Sequence, residues 1–277
     1  MHVSIVIPTY NERENIRILI PALVNIMREN NISGEIIVVD DNSADGTAEE
    51  VERISKIFAE EFHIHVIVRE RKMGIGSAYK TGFANTTGDV IFEMDGDLSH
   101  DPAMIPEFLK MLRTYDVVVG SRYMRGNCTN NQSNFRRIIS IGANMIARKL
   151  LQLSVRDATS GYRAYKRNVI KSIDMNHIHS EGYAFQVEMV YKVEKKGFKI
   201  GEIPIIFRDR TAGRSKLGTK EVVRFFLIVL KLALFDRRPG GIVHSRNEPV
   251  SKEEADTVND RVIIIDKTNK KNKIKKN

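Results

Sequence analysis

From Val3 to Gly120 the sequence alternates short β-branched apolar runs with amphipathic stretches, and few folds accommodate that order. Val3–Ile7, ended by Pro8, has the length and composition of a buried strand. Arg13–Arg28 then sets Ile16, Leu19, Ile20, Leu23, Val24 and Met27 at helical spacing. Further strands are predicted at Glu35–Val39, His63–Val68, Val90–Met94 and Val117–Gly120. Between them come helices at Ala48–Glu61, Ile75–Ala84 and Pro102–Leu112, the last with Pro in its first turn. The alternation predicts an α/β fold of parallel βαβ units in an open, doubly wound, mostly parallel sheet.

Ligands of such sheets bind outside the carboxyl ends of the strands, and here those ends are polar. They read Pro8-Thr9-Tyr10-Asn11-Glu12, Asp40-Asp41-Asn42-Ser43, Asp95-Gly96-Asp97 and Ser121-Arg122. Two carboxylates around a glycine on a tight turn suit a hard divalent cation, which takes oxygen ligands and shares them with substrate phosphates. Asp45 can cap the second helix, which leaves Asp40 and Asp41 for ribose hydroxyls or a base N–H. No G-x-G-x-x-G follows the first strand, and no G-x-x-x-x-G-K-[ST] occurs. Phosphates would therefore be held by a metal and by cations rather than by a glycine-rich loop.

Charge is unevenly spread over the 277 residues, whose 44 Lys and Arg and 35 Asp and Glu give a net of +9. Residues 1–116 carry 11 cations and 20 acids; residues 117–156 carry seven cations and no acid. Residues 208–238 carry nine cations and three acids, and Lys267–Asn277 holds six lysines. Arginine pairs with phosphate through a bidentate fork, so the basic clusters are candidate phosphate ligands. A nucleic-acid-binding platform would interleave aromatics with the cations; aromatics are 7% and Trp is absent, which argues against it. The single cysteine, Cys128, excludes a disulfide scaffold and a Cys-rich metal site.

Beyond residue 120 helices are predicted at Arg137–Leu153 and Gly182–Lys196 and a strand at Lys199–Ile203. Val222–Phe235 has 12 apolar residues in 14, interrupted by Arg224 and Lys231. As a helix it spans about 21 Å, against about 30 Å of bilayer hydrocarbon, so it either lies in a membrane interface or packs on the domain. No secretory signal is visible at the N-terminus. The expected organisation is a catalytic domain over 1–212, an amphipathic segment over 213–238, and a basic, disordered tail over 239–277.

The combined motifs resemble the family 2 glycosyltransferases, and within them the dolichyl-phosphate mannosyltransferases. They are the strand ends quoted above, extended to Asp40–Thr47 and Met94–His100, then Gly120–Tyr123 and Arg136–Ser140. Thr159–Arg163, Gly182–Gln186, Ile203–Phe207, Arg210 and Gly213–Leu217 follow. The likeness runs from Val3 to about Phe235. One departure is Gly96, where the family usually has Ala. The resemblance implies a GT-A-like fold with C-terminal amphipathic helices. It places Pro8, Tyr10, Glu12, Val39 and Asp41 around guanosine. Asp95, Gly96 and Asp97 would lie at the diphosphate, with Asp95, Asp97 and Ser99 holding Mg²⁺ or Mn²⁺. Arg122, Arg210 and Lys216 would hold donor phosphates, with Asp95, Asp97 and Arg122 catalytic, and Arg136 and Ser140 would receive the acceptor phosphate.

The implied reaction is an inverting transfer of mannose from GDP-mannose to dolichyl or another polyprenyl phosphate. UDP-glucose is the rival donor, and a soluble or polysaccharide acceptor a further alternative. The implied partners are the nucleotide sugar, the polyprenyl phosphate lipid and a membrane surface, with no nucleic acid. Attachment would be peripheral, on the cytosolic face of the cell membrane or endoplasmic reticulum, directly or through a small membrane-anchoring subunit.

Overall fold

A computed structural model describes the backbone of residues 1–124, 134–206 and 219–235, and the side chains of 1–124, 141–206 and 223–234. Strands β1 (His2–Thr9), β2 (Ser33–Asp40), β3 (His63–Val68), β4 (Val90–Glu93) and β5 (Val117–Ser121) alternate with helices α1 (Arg13–Glu29), α2 (Thr47–Ile57), α3 (Ile75–Ala84) and α4 (Ile105–Met111). The expected bounds of β3 and α3 hold. α2 stops at Ile57 rather than Glu61, and Pro102–Met104 is a 3-10 turn ahead of α4. Then come α5 (Asn134–Leu151), β6 (Arg163–Lys166), α6 (Arg167–Ser172), α7 (Tyr183–Lys195), β7 (Ile200–Pro204) and α8 (Thr219–Phe235).

The seven strands lie in the order β3-β2-β1-β4-β6-β5-β7. All pairs are parallel except those of β6, which runs antiparallel to β4 and β5. β6 was not expected from the sequence, because its four residues begin with a charge. Arg163 is nevertheless fully buried. Its guanidinium donates to the carbonyls of Gln186 and Ala158, both at 2.8 Å, which offsets much of the cost of burying the cation even though Nε has no partner.

The period of two in β1 sends side chains to both faces of the sheet. Val3, Ile5 and Ile7 pack with Ile36 and Val38 against α1 and α2. Val6, Ile37 and Val39 face Ala78, Tyr79 and Phe83 of α3. α3 lies so close to β1 that a Cβ at Gly82 would overlap Val6.

α8 packs against α5 and α7. Phe225, Val229 and Leu232 point into the core, each contributing about 1.5–3 kcal/mol by burial. Val223, Leu227, Leu230 and Leu234 form a second stripe, between 47% and 62% exposed. The segment expected either to lie at an interface or to pack on the domain thus packs with one face and leaves another apolar face open. Among the described residues no helix is long and apolar enough to cross a membrane.

Candidate active site

β1 and β4 are neighbours, yet the chain leaves β1 toward β2 on one side and β4 lies on the other. This is a switch point of the sheet, the place where sheets of this kind bind ligands outside their carboxyl edge. The turns after β1 and β2 are joined there by hydrogen bonds. The buried Asp40 carboxylate accepts from Thr9 Oγ1 at 2.8 Å and from the Ser43 amide and hydroxyl at 2.8 and 2.6 Å. Ser43 Oγ accepts from the Asn11 amide at 2.8 Å, and Asn11 Oδ1 accepts from the Ala44 amide at 3.1 Å. Asn11 and Asn42 both have φ of 57°, a conformation asparagine tolerates well.

Asp41 is engaged rather than open. One carboxylate oxygen accepts from Arg69 Nε at 2.5 Å, and the other from the amides of Met73 and Gly74 at 3.1 and 3.2 Å. Arg69 also donates to Ser77 Oγ and the Gly74 carbonyl. The pair therefore shapes the 69–74 loop ahead of α3, and Lys72 of that loop lies 3.7 Å from the Tyr10 ring centroid. Tyr10 is exposed and Pro8 and Glu12 are half-buried at the same edge. Val39 is fully buried, so its side chain presents no surface to a nucleoside.

The turn after β4 carries the acidic pair. The Tyr79 hydroxyl donates to Asp95 Oδ1 at 3.0 Å, and the Asp95 amide donates to His100 Nδ1 at 3.1 Å. Asp97 Oδ1 accepts from the Ser99 amide at 3.1 Å. Leu98 has φ of 64°, a strained conformation for a side chain of its size and one found where function fixes a loop. A Cβ at Gly96 would lie 3.2 Å from Thr9 Cγ2 and 3.3 Å from the Pro8 carbonyl oxygen, so alanine here needs a small shift of β1.

His100 is buried and stacks on Tyr162, with centroids 4.8 Å apart and 14° between planes. Since Nδ1 accepts an amide hydrogen bond, Nε2 bears the proton. Burial lowers the imidazole pKa, against the opposing charges of Asp95 and Asp97. The ring is therefore a neutral spacer beneath the acidic turn.

The donor set fits a hard divalent cation. Asp95 and Asp97 offer carboxylate oxygens, and the buried Ser99 Oγ has no hydrogen-bond partner. An orphaned buried hydroxyl costs about 1–3 kcal/mol unless something coordinates it. Oxygen-only ligands suit Mg²⁺ or Mn²⁺.

At the end of β5, Arg122 meets the fully buried Asp157 in a fork, Nε to Oδ2 at 2.7 Å and an NH2 nitrogen to Oδ1 at 2.9 Å. The same nitrogen donates to Thr159 Oγ1 at 2.7 Å. Burial alone would lower the arginine pKa, but the Asp157 charge outweighs it and the net shift is upward. Glu202 of β7 accepts from the amides of Arg156 and Asp157, which fixes the loop that presents the acid.

The turns of Asp95–Ser99 and Ser121–Arg122 thus converge, since Asp95, Asp97, Arg122 and Asp157 all act electrostatically on His100. Arg136 and Ser140 fall in α5, but their side chains, like Arg210 and Lys216 entirely, lie outside the described residues. Sequence reasoning missed Tyr79, His100, Arg69 and Asp157. Asp157 had a signal, as the first acid after a forty-residue stretch that carries only cations.

The family model described as Glycosyl transferase family 2 matches residues 4–174. The chain is 38% identical over 221 residues to an undecaprenyl-phosphate mannosyltransferase of Micrococcus luteus, covering 79% of this chain and 88% of the relative. It is 36% identical over 222 residues to a polyprenol monophosphomannose synthase of Mycolicibacterium smegmatis, covering 79% and 82%. The fold is shared with glucosyl-3-phosphoglycerate synthase of Mycobacterium tuberculosis, solved with Mn²⁺ and UDP-glucose. That match has a TM-score of 0.59 at 19% identity and covers 84% of this chain and 78% of the other.

Proposed function

The chain belongs to glycosyl transferase family 2, and from that premise we propose that it transfers mannose from GDP-mannose to a polyprenyl phosphate such as dolichyl phosphate. The reaction inverts the anomeric carbon and gives polyprenyl phosphate mannose and GDP. The observation that carries this reading is the oxygen-lined turn Asp95–Ser99, with its orphaned Ser99 hydroxyl, at the switch point of the sheet. The names of the relatives in Micrococcus luteus and Mycolicibacterium smegmatis support the lipid phosphate and the mannose.

In this reaction an oxygen of the lipid phosphate attacks the anomeric carbon. The bond from that carbon to the diphosphate oxygen breaks, and its electron pair leaves with GDP. The nucleophile needs no strong base, because a phosphate monoester has its second pKa near 6 and is largely dianionic at pH 7. Asp95, Asp97 and Ser99 would hold Mg²⁺ or Mn²⁺, which when bound offsets charge on the leaving diphosphate. Tyr79 orients Asp95, and His100 supports the turn. Asp157 orients Arg122, which is assigned to a donor phosphate. Arg136 and Ser140 are assigned to the acceptor phosphate, and Arg210 and Lys216 to the donor. Tyr10 with Lys72 above it forms the exposed platform for the base, and Pro8, Glu12 and the backbone of Val39 complete that side. Asp41 holds the 69–74 loop that carries Lys72.

The acceptor is a membrane lipid, and the open stripe of α8 supports peripheral attachment to a membrane surface. Exposed Ile141, Met145 and Leu150 add apolar surface on the adjacent α5. A small membrane-anchoring subunit is the other route to the lipid.

The test offers GDP-mannose and UDP-glucose in parallel, with dolichyl phosphate and Mg²⁺ or Mn²⁺, and scores lipid-extractable sugar. Mannose in the lipid phase from GDP-mannose alone is the expected result. Glucose transfer from UDP-glucose overturns the donor assignment, and no lipid product from either overturns the acceptor.

A further inference from the structure

At the opposite end of the sheet from the acidic turn, β2 and β3 bring together one carboxylate and two imidazoles. Glu35 pairs in register with His63, and His65 follows two residues later on the same face. The ligand atoms of Glu35, His63 and His65 lie within 4.8 Å of one another, the one such trio of His, Cys, Asp and Glu among the described residues. His63 Nδ1 is 3.7 Å from Glu35 Oε2, and the two rings are 4.8 Å apart between centroids. We propose that Glu35, His63 and His65 form a second metal site, separate from the catalytic turn, that takes zinc or a similar borderline divalent cation.

Two features carry it. His65 Nδ1 is shielded from solvent and has no hydrogen-bond partner, so a ring nitrogen is left aimed at its neighbours with nothing to bind. Glu35 is buried and held in place by its other oxygen. Its Oε1 accepts from Ser4 Oγ at 2.5 Å and from the Thr87 amide and hydroxyl at 2.6 and 2.8 Å, which leaves Oε2 facing the histidines. Carboxylate ligands are commonly fixed by such hydrogen bonds.

Two imidazoles and one carboxylate are a zinc donor set with a fourth position for water. Bonds of about 2.0–2.1 Å at a tetrahedral angle need ligand atoms about 3.3 Å apart. His63 is exposed on the edge strand and free to rotate its ring inward by that margin. The site is five residues along β2 from Asp40, about 16 Å at 3.3 Å per residue, so its filling is independent of the catalytic turn. The bound ion would pin the edge strand β3 to β2.

The experiment uses the untagged full chain, stripped with a chelator, and titrates Zn²⁺ calorimetrically in excess Mg²⁺ so that the oxygen site is already filled. Wild type is expected to take up one zinc that His63→Ala and His65→Ala each bind at least about tenfold more weakly. Zinc is expected to raise the unfolding temperature of wild type and of neither variant. His63 is exposed, so His63→Ala keeps the fold, and circular dichroism checks His65→Ala. No zinc uptake by wild type, or wild-type affinity in either variant, overturns the proposal.

Discussion

Arg122 and Asp157 are thirty-five residues apart in the chain and form a buried bidentate ion pair with N···O distances of 2.7 and 2.9 Å. The pair joins the end of β5 to the loop before β6, beside the acidic turn. The pair fixes the position and plane of the Arg122 guanidinium, because a planar fork bound bidentately to a buried carboxylate has little freedom to rotate.

Breaking that pair leaves a charge buried without a partner. Asp157→Asn is expected to lower the free energy of unfolding by about 3–5 kcal/mol, read from urea titration. A loss under about 1 kcal/mol would mean that Arg122 is not held by this contact.

The Ser99 hydroxyl separates stability from metal binding. Ser99→Ala removes an unsatisfied buried polar atom, so stability is expected to stay the same or rise. Mn²⁺ affinity, followed by electron paramagnetic resonance, is expected to fall. Tyr79→Phe, which frees Asp95 Oδ1, should weaken Mn²⁺ by roughly 10–100-fold, and Asp97→Ala should abolish metal-dependent turnover. Unchanged Mn²⁺ binding in all three would remove the metal from this turn.

Glu93 gives a pH dependence with a definite sign. It is fully buried, and burial, against the opposing charge of Arg163 and the Tyr165 hydrogen bond, raises its pKa from 4.5 to about 7. Between those values the folded chain keeps a proton that the unfolded chain has lost. Glu93 therefore costs nothing below pH 4.5, and stability drains away as pH climbs to 7, by roughly 3 kcal/mol in all. Unfolding free energies of wild type and Glu93→Gln, compared from pH 5 to 8, should diverge as pH rises, with the variant losing less. Parallel curves would show that Glu93 ionises normally.

The open stripe of α8 should matter for membranes and not for folding. Val223→Ser with Leu227→Ser is expected to leave stability within about 1 kcal/mol, because both side chains are exposed. Flotation with anionic vesicles should show wild type rising with lipid and the variant remaining below. Equal flotation of the two would place the contact elsewhere.

Much of this was legible before any coordinates. The β-branched runs and helical spacings over residues 1–120 set the parallel α/β sheet, because burial requires each apolar face to find a partner and the order of elements leaves few arrangements. The strand ends then pointed to Asp95 and Asp97 through the rule that such sheets bind at their carboxyl edge, and the family resemblance added Ser99. The sequence motifs also named the family. β6 was hidden, since a four-residue strand starting with arginine carries no apolar signature, and only the surrounding carbonyls make its burial tolerable.

What the linear order determined was composition along each element: which faces are apolar and which ends are polar. What only the tertiary structure decided was which polar groups are already spoken for. Asp41 looked available and is taken by Arg69 and two amides; Val39 looked like a contact and is core. Arg122 was expected as a phosphate ligand at a strand end and is also half of a buried ion pair. Ser99 Oγ and His65 Nδ1 are among the buried side-chain atoms left without hydrogen-bond partners, which no sequence pattern reveals. Hydrophobic pattern is periodic and local, so it survives in one dimension. Hydrogen bonds and ion pairs are short-ranged and directional, so their partners are fixed only when distant segments meet.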